Sequence, residues 1–273
     1  MNKISFLTDL EMKDIESKAN SKLIELHKNS RILGRHILNI VKKEATLLQS
    51  PFSDEEFCAF VCQKKGRLFV YINSQIPEEK QNFAAAHELY HIWFDKDFLK
   101  NPEMLKSNIL NDETDNIREL RANLFAAILL VPKHVLEQEI MFLEISKNEV
   151  TSEQVVELAH TFEVPYKAMV RRLYEIGYIN KTVAEQLYSD TTNAPFIRKK
   201  LQLDNGEAIK PVIHFEGLAK NAIDLYLAGF ITPKRLRNLL SLLQKEPKDF
   251  GIELPDELPS EDEIDNLLEE DDG

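Results

Sequence analysis

The sequence predicts an α+β fold, mostly α, in which a small N-terminal β-sheet packs on a helical core and a helix-turn-helix-like helical subdomain follows. Three observations predict it. One β-branched and aromatic stretch, from 45 to 73, interrupts a chain whose apolar residues otherwise recur every three or four positions. Glycine is scarce, 8 in 273 residues, which leans away from folds built on many tight turns. Hydrophobic residues at 43% and charged residues at 29% are ordinary globular values, enough for a sizeable core.

Taken in order, residues 7–43 read as helical, with Leu23, Ile24, Ile32, Ile37, Leu38 and Ile40 at helical spacing. The segments FCAFVCQ and RLFVYIN, separated by Lys-Lys-Gly, predict an antiparallel hairpin over 56–73, with a further strand at 45–49. Pro77, followed by Glu78 and Glu79, suits a first helical turn and opens a helix over 77–94. Residues 95–112 are polar and loop-like, broken at Asn101-Pro102. A second helix is expected over 113–130, stopping before Pro132, and others over 133–142, 152–162 and 165–176. Residues 180–215 are less regular, and a last helix opens with Thr232 as cap and Pro233 in its first turn.

The net charge of −12 belongs to the tail. Residues 252–273 hold eleven acidic groups and no basic one, which leaves 34 basic against 35 acidic groups in the rest. The tail reads as disordered and solubilising, although Ser260 with Glu263 could cap a short amphipathic segment bearing Ile264, Leu267 and Leu268. Two cysteines, Cys58 and Cys62, exclude a disulfide framework. A thiolate metal pair is open to them, but two buried core thiols is the favoured reading. The N-terminus has acidic residues where a signal peptide would carry its apolar run, and the longest apolar run, 124–131, is too short to span a bilayer. A soluble, cytoplasmic protein without a membrane partner is expected.

The chemistry concentrates at His87-Glu88-Leu89-Tyr90-His91. Residues i and i+4 of a helix share a face, so two imidazoles at that spacing can bind one metal ion. Glu88 then reaches a metal-bound water and serves as general base. The flanks are apolar, with Phe83 to Ala86 before and Ile92 to Phe94 after, so a buried helix must find partners for these polar groups. Zinc, Zn²⁺, takes three protein ligands and an open position in catalytic sites. The third ligand is expected from Glu119 on the following helix, whose stripe continues through Asn123, Ala126 and Leu130. Asn123 is a candidate for orienting a ligand from behind. Asp112, Glu113 and Asp115 compete with Glu119, although their place near a helix start suits capping and dipole pairing. Tyr90, Tyr166, Arg171 and His160 are oxyanion-donor candidates by residue type alone. His27, His36, His134, His160 and His214 lack ligand spacing to one another.

INSQIPEEKQNFAAAHELYH followed by RELRANLFAAILLVP resembles the ImmA/IrrE metallo-endopeptidases. The match runs through Asn73, Phe83, Ala86, His87, Glu88, His91, Glu119, Ala122, Asn123, Phe125, Ala126, Leu129 or Leu130, and Pro132. Two positions depart: Tyr90 stands where relatives commonly have Gly, placing a bulky phenol beside the site, and Arg121 where many have a second Glu. The resemblance covers about 70–180 well and the last 80 residues little. It implies a zincin-like metallopeptidase domain over 1–145 and a helix-turn-helix-like subdomain over 146–185, while a helical region over 186–251 and the acidic tail over 252–273 are read from the residues themselves. It also implies zinc, a gluzincin-like arrangement, and a helix-turn-helix transcriptional repressor of a mobile element or stress-response locus as substrate.

Residues 151–179 allow another function. Thr151 with Gln154 makes a capping box, Val155, Leu158, Ala159 and Phe162 form an apolar stripe, and after Glu163-Val164 a second helix carries Lys167, Arg171 and Arg172. DNA binding through that helix is one reading, and a packing unit with a solvated charged face is the favoured one. The alternative to a peptidase is a DNA- or regulator-binding module whose metal site is structural or vestigial. An aminopeptidase is less favoured, because no amine-capturing acidic motif stands beside HExxH.

Overall fold

The computed structural model describes residues 7–28, 30–54, 56–96, 99, 116–203 and 211–254. The fold agrees with the α+β, mostly α expectation. Two compact units divide at residue 214, Met1–His214 and Phe215–Gly273.

The expected helical stretch 7–43 is two helices, α1 (Asp9–Glu25) and α2 (Ile37–Glu44), the second preceded by a 3-10 turn at Gly34–His36. His27 at φ 53° and Gly34 at φ 46° break it, since a right-handed helix admits neither. Gly34 also lies against Glu163, where an added Cβ would stand 2.5 Å from Oε2. A capping box between Thr8 and Glu11 starts α1, whose buried Ile15, Ala19 and Leu23 join the core.

The sheet has the order β2-β3-β1-β4, with β1 at Thr46–Ser50, β2 at Ala59–Lys64, β3 at Arg67–Asn73 and the two-residue β4 at His214–Phe215. The expected hairpin forms, Ala59 facing Ile72 and Lys64 facing Arg67, across a turn with Lys65 and Gly66 both at positive φ. The strand expected at 45–49 pairs in parallel with β3, Thr46 opposite Phe69. Leu47, Ala59, Val61, Val70 and Ile72 are buried on one face. At the end of β3 the buried Asn73 bonds to the backbone of Phe52, Asp54 and Phe57. Its Oδ1 accepts from the Phe52 and Gln75 amides, each at 2.9 Å, and its Nδ2 lies 2.9 Å from the Phe57 carbonyl.

Helices α3 (Glu78–Phe94), α4 (Ile117–Leu130), α5 (Lys133–Phe142), α6 (Ser152–Phe162) and α7 (Tyr166–Glu175) follow close to expectation. Asn116 caps α4 by accepting from the Arg118 amide. Residues 113–115 lie outside the described residues. Against the less regular expectation for 180–215, two short helices form, α8 (Lys181–Ser189) and α9 (Ala194–Lys200). They bury only two residues each, Ala184 and Leu187, and Ala194 and Ile197. One face of α3 rests on β2 and β3 and another meets α4, while α4 in turn packs on α1. That sandwiching buries α3 from Gln81 through Ile92 and α4 from Ala122 through Leu130.

In the second unit, α10 (Leu218–Leu227) starts after Gly217, and α11 (Pro233–Ser241) is capped by Thr232 as expected. Ala222, Leu236 and Leu240 form its small core. No helix among the described residues is long and apolar enough to cross a membrane. The Ser260–Glu263 capping box and the rest of 255–273 lie outside the described residues.

Candidate metal centre

Helix α3 carries His87 and His91 one turn apart, and α4 presents Glu119 to both. His87 Nε2 lies 3.1 Å from His91 Nε2 and 3.1 Å from Glu119 Oε2, while His91 Nε2 lies 3.8 Å from Glu119 Oε1. The small residues Ala85, Ala86, Ala122 and Ala126 are fully buried, which lets the two backbones approach closely. His87, Glu88 and His91 are buried within the helix, and Glu119 and Asn123 face them from α4. Among the described residues, the group of metal-type side chains brought together is His87, His91 and Glu119. The competitors Asp112, Glu113 and Asp115 lie outside the described residues.

The back of each ring decides what the front can do. His87 Nδ1 lies 2.8 Å from Asn123 Oδ1, and His91 Nδ1 lies 3.2 Å from Asp95 Oδ2. Amide and carboxylate oxygens only accept, so in its neutral form each ring favours its hydrogen on Nδ1 and turns the Nε2 lone pair inward. Two lone pairs and a carboxylate then converge on one buried point, an arrangement that a cation completes. Ligands on a tetrahedral zinc ion at bonds of about 2.0–2.1 Å stand about 3.3 Å apart, and the three separations straddle that value. The residues therefore fit a divalent metal, with two imidazoles and one carboxylate as donors. Asp95 was not singled out in the sequence. Its signal is there, since His87, His91 and Asp95 continue one i, i+4, i+8 stripe.

Electrostatics shows the same convergence. Burial alone would push the His87 ring towards neutrality, but the Glu119 hydrogen bond, the Glu88 and Glu119 charges and Asn123 outweigh it, and its pKa rises. Burial likewise opposes the Glu119 charge, and the His87 hydrogen bond with the charges of His87, His91 and Arg118 outweighs that, so its pKa falls. A proton and a metal ion thus compete for the same place. Glu88 lies near enough to act electrostatically on both His87 and Cys58.

The remaining candidates sit elsewhere. The Tyr90 ring is buried against Phe94 and Phe125, at 5.7 and 5.5 Å, and edge-on to His91 at 5.7 Å. Burial raises its hydroxyl pKa while Arg121, its hydrogen-bond partner, works the other way. Arg121 is ion-paired to Glu11 of α1 at 2.6 Å, so the two departures from the family pattern meet in the α1–α4 packing. The Tyr166 hydroxyl donates to the Leu187 carbonyl at 3.1 Å, and His160 is exposed. Arg171 is bonded to Glu175 at 3.0 Å and, with Lys167 and Tyr188, lines a cavity of ≈ 20 Å³ beside Asn123, enough for a single water. Cys58 is buried and Cys62 half-buried, both as free thiols. Burial raises the pKa of each, as suits packed thiols more than a thiolate pair.

No curated protein matches the chain. Residues 49–174 match the model of the Peptidase_M78 family, described as the IrrE N-terminal-like domain. That span runs from the end of β1 into α7 and contains every residue of the centre just described. Over that span the chain carries a domain that matches the Peptidase_M78 model, in agreement with the ImmA/IrrE resemblance of its motifs, and this domain is of metallopeptidase type.

Proposed function

We propose that the protein is a zinc-dependent endopeptidase that hydrolyses a peptide bond in a cytoplasmic protein, a helix-turn-helix repressor of a mobile element or stress-response locus. The observation that carries the reading is the convergence of His87 Nε2, His91 Nε2 and the Glu119 carboxylate, with an acceptor oxygen behind each Nδ1. His87, His91 and Glu119 would hold the ion. Bound zinc supplies a water of lowered pKa and polarises the scissile carbonyl. Glu88, on the same turn as His87 and buried, accepts the proton of the attacking water on its carboxylate and returns it to the leaving amine. Asn123 and Asp95 keep the rings in the tautomer that leaves Nε2 free. The repressor as substrate rests on the family resemblance.

The burial of α7 argues against DNA contact through it. Of its residues only Lys167 is exposed, while Arg172 is buried and donates to the Val131 carbonyl at 2.9 Å. An α-helix that reads a major groove needs its side chains outside. We assign α6 and α7 to packing.

Co-expression with a helix-turn-helix repressor encoded beside this gene, followed on a gel, tests the reading. Full-length repressor should disappear with the unaltered chain and persist with Glu88→Gln, a loss of about 10²–10⁴ in rate with zinc retained. Repressor inactivation that is undiminished in Glu88→Gln would show a binding module with a structural metal site.

A further inference from the structure

Asp95 is the last residue of the α3 stripe and the C-cap of the helix. Its carboxylate stands at the negative end of the helix dipole, where an acid is locally unfavourable. Two contacts compensate for that placement. One oxygen, Oδ2, lies 3.2 Å from His91 Nδ1 and 2.8 Å from Arg118 Nε. Arg118 immediately precedes Glu119 on the first turn of α4. The Asp95 oxygen therefore touches the back of one metal-type residue and the chain neighbour of another. The side chain is mostly shielded, with a fifth of its surface exposed, so the contact is screened less than a surface pair.

We propose that Asp95 is a positioning residue of the metal centre: its Oδ2 orients the His91 ring by accepting from Nδ1–H and, through Arg118, holds the first turn of α4 where Glu119 reaches the same ion. The inference rests on the zinc reading given above and adds two residues, Asp95 and Arg118, to the centre. Asp95 and Asn123 divide the task, one behind each ring. The difference is charge. Asn123 presents a neutral amide to His87, whereas Asp95 presents a carboxylate to His91, a charge-assisted hydrogen bond that holds the ring more firmly. The Arg118 pair holds that carboxylate in place, so the rotamer of Asp95 is set by α4 as well as α3.

Zinc affinity of the full chain, measured by competition with a chromophoric chelator, tests this, with the cobalt(II)-loaded visible spectrum as a second readout. Asp95→Ala should weaken zinc about 10–100-fold and shift the cobalt bands, which report ligand geometry. Asp95→Asn, which retains an acceptor for Nδ1–H, should recover part of that loss. Arg118→Ala breaks the same ion pair without touching His91 and should cost less than Asp95→Ala. Thermal unfolding of the metal-free variants separates a folding defect from a metal defect. Zinc affinity in Asp95→Ala within about twofold of the unaltered chain would overturn the proposal, as would an equal loss in Arg118→Ala with no recovery in Asp95→Asn. An unaltered chain that binds no zinc would overturn the metal reading itself, and is told apart because it appears before any substitution is made.

Discussion

Between α3 and α4, His87, His91 and Glu119 turn their Nε2 and carboxylate atoms towards one point, and Asn123 and Asp95 orient the rings from behind. Between α6 and α7 and their surroundings, charged groups find partners of opposite kind. Arg172 donates to the Val131 carbonyl and lies 3.4 Å from Glu175, Arg171 is bonded to Glu175, and Glu163 accepts from the Arg35 amide at 2.6 Å. Both regions are helix pairs with polar groups in the interior, and both carry a motif that suggests function. The difference teaches which motif to believe. A buried polar set satisfied by fixed partners is a packing device, whereas two rings and a carboxylate that meet at one point hold a proton or a metal ion between them.

The comparison can be broken most forcefully at the ligands. His87→Ala should leave a chain that no longer retains zinc and no longer loses thermal stability when treated with chelator. In the unaltered chain, zinc at a thousand times its Kd should add about 4 kcal/mol, read as a chelator-sensitive rise in Tm. Arg172→Met tests the other pair. It removes a buried donor and should lower stability by about 2–3 kcal/mol in denaturant unfolding, with zinc affinity unchanged.

A pH titration sharpens the contrast. Zinc must displace the proton that Glu119 helps His87 to hold, so affinity should climb with pH by about tenfold per unit for each proton displaced, levelling off above the raised His87 pKa. The metal-free chain should behave in the opposite sense. Glu119, with its lowered pKa, contributes stability above the ordinary carboxylate range and loses it as pH falls through its folded value. His87, with its raised pKa, contributes stability below the ordinary histidine range and loses it as pH rises through its folded value. The pair therefore stabilises the metal-free form most between those two ranges, and urea midpoints against pH should show that maximum fade in His87→Ala. Smallest of all is Lys167→Ala, the exposed position of α7, expected to change stability by less than about 0.5 kcal/mol and repressor cleavage not at all. A large effect there on DNA affinity would restore the helix-turn-helix reading.

Much of the centre was legible because its signals are local. The i, i+4 spacing of His87 and His91 on an apolar helix, and the Glu119–Asn123 spacing on the next, need only helical geometry to interpret. Asp95 was missed because an acid at a helix C-terminus reads as the edge of a loop; what makes it significant is Arg118, more than twenty residues away. The hairpin over β2 and β3 was legible from the Lys-Lys-Gly between two apolar runs, whereas the parallel pairing of β1 with β3 was not, since parallel partners are joined by no local signal. Residues 7–43 lost their expected continuity at His27 and Gly34, and beside Gly34 the Arg35 amide donates to the carboxylate of Glu163, distant in the chain. Helices α8 and α9 bury too few residues for a period to show, and α10 follows a glycine with no side-chain cap to announce it.

Zinc content after gel filtration in chelator-free buffer, measured side by side on the unaltered chain and on Glu119→Ala, tests the central claim most directly. A single zinc ion per chain in the first and a marked loss in the second, with both folded by circular dichroism, is the result expected of a centre built from two rings of α3 and one carboxylate of α4. Equal zinc in both, or none in the unaltered chain, would contradict it.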